Sequence, residues 1–198
     1  MDGSACGILA VLFLVILRFL EWQSGKERLV EAALGWSDFA RRHELRGDGL
    51  SVRGVYKGYV LLLDTERRHM GKSRVTLSHV VLAVPTLPRE VVLKPGGFFA
   101  AGPVRQVSTT PEMKAMLEHM PLRMRFSEAA EAYHELVVES GYISAKAVGV
   151  PRTLEELEVL IEPALQLARA FDEAARLGAL NQSAGPEVAG RPGGKTGR

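Results

Sequence analysis

The chain opens on a run of residues that has no polar face. From Ala5 to Leu17 every position is apolar or glycine; Arg18 breaks the run, and Phe19, Leu20 and Trp22 resume it around Glu21. A helix that is apolar on all sides has to be buried in protein or in lipid. The uninterrupted part spans only about 20 Å as a helix, against a hydrocarbon core of about 30 Å. Counted from Ala5 to Trp22 it reaches about 27 Å. That suffices if the Arg18 side chain reaches the headgroups and Trp22 sits in the interfacial belt. The pattern predicts a single membrane span carried by Ala5, Leu12, Leu14 and Leu17, with Arg18 and Trp22 at its boundary. Two other readings exist. A signal peptide would need a basic start and a small-residue cleavage site, but Asp2 is the only side chain before the run that ionises. A buried core or partner helix is the third.

After the run the period changes. Leu29, Ala32, Ala33, Trp36, Phe39 and Ala40 recur at three- and four-residue spacing, which predicts a helix from Lys26 to His43 with breaks at Gly25 and Gly35. Arg46-Gly47-Asp48-Gly49 reads as a turn cluster. Leu50 to Leu63 alternates as a hairpin bent at Gly54 and Gly58. Residues 66–74 read as a basic loop. Val75 to Val84 is a strand rich in Val, Leu and Thr, stopped by Pro85 and Pro88, with a short strand to follow at Glu90–Leu93. Thr110-Pro111 caps a helix to about His119. An Ala- and Glu-rich helix from Glu128 precedes a hairpin turning at Ser140-Gly141. Thr153 and Glu156 have capping-box spacing and open a helix to about Leu177, kinked at Pro163. The predicted fold is therefore α+β: a transmembrane helix, one mixed domain with antiparallel hairpins, and a long C-terminal helix. The divisions are an anchor over 1–24, a globular domain over 25–178 and a disordered tail over 179–198.

Charge and composition change this picture little. Lys and Arg total 25 against 23 Asp and Glu, a net charge of +2 over 198 residues. No whole-chain field for nucleic acid follows from that balance. The single cysteine, Cys6, rules out an intramolecular disulfide and a cysteine zinc site. The cations flanking the apolar run all follow it: Arg18, Lys26, Arg28, Arg41 and Arg42. The positive-inside rule then places the globular domain in the cytoplasm of a single-pass cell-membrane protein.

Candidate chemistry is sparse. Ala189–Thr196 fits a relaxed P-loop pattern, but a P-loop needs a helix after it, and two residues follow Thr196. The five histidines, His43, His69, His79, His119 and His134, show no local metal spacing. HExxH and GxSxG are absent. No cofactor or metal is expected. The strongest local charge is Arg67, Arg68, Lys72 and Arg74. Near a bilayer each such cation adds about 1 kcal/mol of attraction to anionic lipid; otherwise it is a solvated loop. Aromatic residues do not interleave these charges, which disfavours nucleic acid.

The order of elements resembles a set of uncharacterised bacterial membrane-anchored proteins. The matching residues are Trp36 with Phe39-Ala40, Gly54 and Gly58, Thr76, and Leu167-Ala168-Arg169-Ala170-Phe171. The resemblance covers most of residues 10–177. It implies a membrane-anchored domain and carries over no functional residue. Taken together, the expectation is a non-enzymatic interaction or scaffold domain, with the lipid bilayer and a protein at the membrane as partners. The alternative is an enzyme or small-ligand domain whose site is assembled from dispersed residues. Nothing in the sequence sets the oligomeric state.

Overall fold

The computed structural model describes residues 28–71, 73–87, 91–95, 104–108 and 110–183. The apolar run with Ala5, Leu12, Leu14, Leu17, Arg18 and Trp22 lies outside the described residues, as do Lys72 and the stretch that resembles a P-loop. Among the described residues no helix is long and apolar enough to cross a membrane.

Helix α1 occupies residues 28–42. It buries Ala32, Trp36, Phe39 and Ala40, the face its period predicts. It ends in a Schellman turn: Leu45 N–H reaches the Ala40 carbonyl at 2.7 Å, with Glu44 in the left-handed region at φ 56°. Gly35 does not break the helix. A Cβ there would lie 1.9 Å from the Arg152 carbonyl oxygen, so glycine is what lets α1 lie against the segment before the C-terminal helix. Next to it the Trp36 indole N–H donates to the Pro151 carbonyl at 3.0 Å. A large apolar side chain is thereby buried with its polar atom satisfied.

The strands are β1 (Arg46–Asp48), β2 (Ser51–Tyr56), β3 (Tyr59–Met70), β4 (Ser73–Ala83), β5 (Val92–Pro95), β6 (Val104–Ser108), β7 (Glu135–Glu139) and β8 (Tyr142–Val148). They form one eight-stranded sheet in the order β1-β2-β3-β4-β8-β7-β5-β6, with antiparallel pairing throughout. Two hairpins close through two-residue turns with positive φ at both positions, Lys57-Gly58 and Ser140-Gly141. That twist matches the strands it joins. Gly141 has a second constraint, because the chain leaving β4 crosses the end of β8 there. Val84 N–H bonds the Gly141 carbonyl at 2.8 Å, and the Leu87 carbonyl would lie 3.6 Å from a Cβ at Gly141.

Helices α2 (Pro111–Leu117), α3 (Met120–Ala132) and α4 (Leu154–Ser183) complete the fold. Thr110 caps α2 by accepting from Met113 N–H at 3.2 Å. Thr153 caps α4 by accepting from Glu156 N–H at 3.2 Å, and the Glu156 carboxylate returns to Arg152 N–H at 2.7 Å. Along α4, Leu157, Ile161, Ala164, Leu165, Ala168 and Phe171 are buried. They meet one face of the sheet: Val52 and Tyr56, Leu61 and Leu63, Val80 and Leu82, Ile143 and Ala145, Leu136 and Val138.

Several expectations change. Arg46–Asp48 is a strand rather than a turn, because β1 adds to the edge of β2. The basic loop at 66–74 is mostly strand: β3 and β4 remain paired as far as Met70 and Ser73. Gly54 lies within β2, and only Gly58 belongs to the turn. The Ala- and Glu-rich helix starts at Met120, eight residues before Glu128, with Pro121 in its first turn. Strand β6 was not foreseen. Helix α4 continues past Leu177 to Ser183, into residues read as tail; residues 184–198 lie outside the described ones.

Pro163 does not end α4 either. The Tyr133 hydroxyl donates to the Leu160 carbonyl at 2.5 Å and accepts from Ala164 N–H at 3.2 Å. One phenol from the end of α3 thus bridges the helix ladder beside the proline.

Candidate functional site

The register defines a second sheet face, opposite the helices. One row across it runs Val55, Val60, Ala83, Tyr142 and Glu139; the next runs Arg53, Leu62, Val81, Ser144 and Val137. The third holds Asp64, His79, Lys146 and Glu135. Glu66, Leu77 and Val148 follow, and then Arg68 with Val75. Val55, Val60 and Tyr142 are 63%, 59% and 49% exposed, so no described helix covers this end of the face. It is apolar because β3 reads Val-Leu-Leu-Leu through residues 60–63, which gives both of its faces apolar side chains.

The other end of the same face is charged. Lys146 Nζ lies 2.6 Å from Glu66 and 3.7 Å from Glu135. Arg68 Nε lies 3.1 Å from Glu66, and its Nη1 also bonds Glu135. The Glu66 carboxyl is held below its usual range, first by the hydrogen bond from Lys146 and then by that from Arg68. The bond to Glu66 also raises Arg68. Both carboxylates are about two-fifths exposed, so solvent screens each pair. Leu77, in the row of Glu66, is fully buried beside this network.

Between the two ends lies a cluster of Asp64, His79 and Ser144. His79 Nδ1 is 3.2 Å from Asp64 Oδ1, and His79 Nε2 is 2.8 Å from Ser144 Oγ. Asp64 and His79 are direct cross-strand partners on β3 and β4, and Ser144 follows on the adjoining β8. In the sequence His79 is one of five isolated histidines, and nothing local joins Asp64 or Ser144 to it. The available signal was parity: each is a polar outward position in a strand whose inward positions are apolar. Only the strand order brings the three together.

The predicted lipid-contact residues do not form one patch. Arg67 and Arg74 share a side of the β3–β4 hairpin, with His69 opposite Arg74, and all three are exposed. Arg68 points to the other side, into the carboxylates. Lys72 lies outside the described residues.

The helical side holds two further features. A groove of about 450 Å³ lies between the end of β8 and α4, lined by Tyr133, Val148, Val150, Val159, Leu160 and Pro163. The His43 ring stands 3.1 Å from Glu158 and edge-on to Tyr56, at 4.8 Å between centroids. These contacts tie α1, β2 and α4 together. Among the described residues no group of three His, Cys, Asp or Glu side chains is placed to hold a metal ion.

No family model matches this chain, and no curated protein does so either. Among solved structures it is similar to the crystal structure of the mycobacterial trehalose monomycolate transport factor A, TtfA. The TM-score is 0.47 at 12% identity, over 74% of this chain and 95% of that one. At that distance, function has to be read from this chain's own surface.

Proposed function

We propose that this chain is a membrane-tethered interaction domain that presents the uncovered face of its sheet to a protein partner at the bilayer. The observation that supports this is the contiguous exposure of Val55, Val60, Leu62 and Tyr142 on one sheet face. Seven of the ten residues in these two rows are apolar. At about 4.8 Å between strands and 6.8 Å between same-face neighbours those seven cover roughly 230 Å². A stable interface needs about 800 Å² from each partner. The partner would therefore also cover the charged rows, where Asp64, Glu66, Arg68, Glu135 and Lys146 would give the contact its register.

The tether is the segment from Ala5 to Leu20, with the domain on the cytoplasmic side. Arg67 and Arg74 lie near the tip of the β3–β4 hairpin, suited to anionic headgroups, whereas Arg68 is held by its carboxylates. Replacing Leu12 and Leu14 by arginine costs about 3 kcal/mol per charge at mid-span. It is expected to move the protein from the carbonate-resistant membrane fraction to the soluble one. A double variant that stays in the membrane fraction would remove the tether from this reading.

A second reading has its own observation. The Asp64–His79–Ser144 spacing supports an enzyme whose site is assembled from dispersed residues.

A further inference from the structure

The open sheet face carries a serine hydroxyl hydrogen-bonded to a histidine, with a carboxylate 3.2 Å from the other nitrogen of the ring. We infer that Ser144 and His79, with Asp64 positioning the imidazole, form an acyl-transfer site for esters or thioesters of apolar acyl groups. This rests on the second reading above.

The geometry assigns the roles. The Asp64 carboxylate stands 3.2 Å from Nδ1, close enough for its charge to favour the tautomer with the proton on that nitrogen. Nε2 is then the lone-pair nitrogen, and it faces Ser144 Oγ at 2.8 Å, within reach for proton transfer. A nucleophile, a base touching it and a third group orienting the base are the pattern by which such sites are recognised, whatever the fold or chain order. The side chains sit on three adjacent strands, which hold them more firmly than loops would. His79 is 22% exposed, and Asp64 is 44% exposed, so the site is open to a substrate arriving from above the sheet.

The acyl preference comes from the rows. Ser144 stands in the same row as Leu62, Val81 and Val137, and the next row holds Val60, Ala83 and Tyr142. An acyl chain lying across the strands would cover these side chains while its carbonyl rests over Ser144. On the opposite side of the serine are charges: Lys146 is the direct cross-strand partner of His79. Strand β8 is paired on both edges, with β4 and with β7, so its backbone amides are engaged in the ladders. With those amides engaged and the Lys146 ammonium held by Glu66 and Glu135, charge on the tetrahedral intermediate falls to solvent. One oxyanion donor is worth about 10²–10³ in rate, so slow turnover is expected.

The step balances with water as the co-reactant. Ser144 Oγ bonds to the acyl carbon as its proton passes to His79 Nε2. The bond from the acyl carbon to the leaving oxygen or sulfur breaks, and that atom takes the electron pair and the proton from Nε2. Water then adds to the acyl-serine and gives a proton to Nε2. Oγ departs and recovers that proton, releasing the carboxylic acid.

The test uses the full chain in membrane vesicles with a fluorophosphonate probe and with p-nitrophenyl octanoate and acetate. The expected result is a probe adduct on Ser144, found by peptide mass spectrometry, and faster hydrolysis of octanoate than of acetate. Ser144→Ala should abolish the adduct, and His79→Ala should slow octanoate hydrolysis at least about a hundredfold. Asp64→Asn should lower kcat while leaving KM in place, whereas a merely structural carboxylate would move only the unfolding midpoint. Unfolding midpoints for each variant separate lost chemistry from lost fold. Ser144 left unlabelled while a known serine hydrolase in the same vesicles is labelled would overturn the proposal, as would equal labelling of wild type and His79→Ala. A Ser144→Ala protein that has lost hydrolysis yet still contacts its partner through Val60 would separate this chemistry from the interaction reading.

Discussion

Gly35 shows how one side chain position sets the placement of a whole helix. Helix propensity alone favours alanine over glycine there by about 1 kcal/mol. The contact decides the other way, because the added carbon would meet the Arg152 carbonyl at 1.9 Å, and overpacking of that kind costs about 1–3 kcal/mol or more. Gly35→Ala is therefore expected to lower the melting temperature by roughly 4–8 °C in thermal unfolding followed by circular dichroism. A rise in Tm would mean that α1 is free to move away from Arg152. The periodic reading placed Trp36, Phe39 and Ala40 on the buried face of α1, and the structure keeps them there. It could not distinguish a glycine that breaks a helix from one that lets a helix approach, since that depends on a residue 117 positions away.

Among the elements, α4 is the one whose attachment depends on phenols. Tyr59 on β3 donates to Asp172 at 2.5 Å, and Thr86 reaches the other oxygen of that carboxylate at 2.6 Å. Tyr133 bridges the ladder beside Pro163. Burial pushes the Tyr59 hydroxyl up to about 12, with the hydrogen bond to Asp172 adding to it. Burial pushes Tyr133 up as well. A raised folded value means that the neutral phenol is the form the fold prefers. The contribution is complete below the unfolded value of about 10 and is lost as pH rises from there through about 12. Denaturation midpoints should fall across that window, and fall less steeply in Tyr59→Phe; equal slopes would show that α4 does not depend on this phenol. The sequence predicted α4 from its capping box and apolar stripe, and it flagged Pro163. It could not supply Tyr133, because the compensating donor comes from another helix. The β3–β4 hairpin was misread for a related reason. Its outer residues are charged, and charge resembles a loop when the partner carboxylate, Glu135, lies 67 residues from Arg68.

Among the described residues, helices seal one face of the sheet and leave the other open, and the open face grades from apolar to charged. The α+β class, the antiparallel hairpins and the C-terminal helix were legible in local periodicity. The open face was not. Alternation says that a strand has two sides, but strand order decides which outward residues become neighbours, and Asp64, His79 and Ser144 meet only through β3-β4-β8 adjacency. Among the described residues, four of the twelve exposed large apolar side chains, Val55, Val60, Leu62 and Tyr142, lie on that face, and Val148 lines the groove against α4. The remaining seven lie on the helices, where Val30 with Leu34 on α1 and Met120 with Met124 on α3 form two-residue pairs one turn apart. Site-specific photo-crosslinking in native membranes compares the two sides directly. A photoreactive residue is placed at Val60 on the open face or at Val159 on α4, which are 59% and 73% exposed. The expected result is a discrete crosslinked species from position 60 and none from position 159. Crosslinking from position 159 alone, or from neither position, would contradict the assignment of the open sheet face as the surface through which this protein acts.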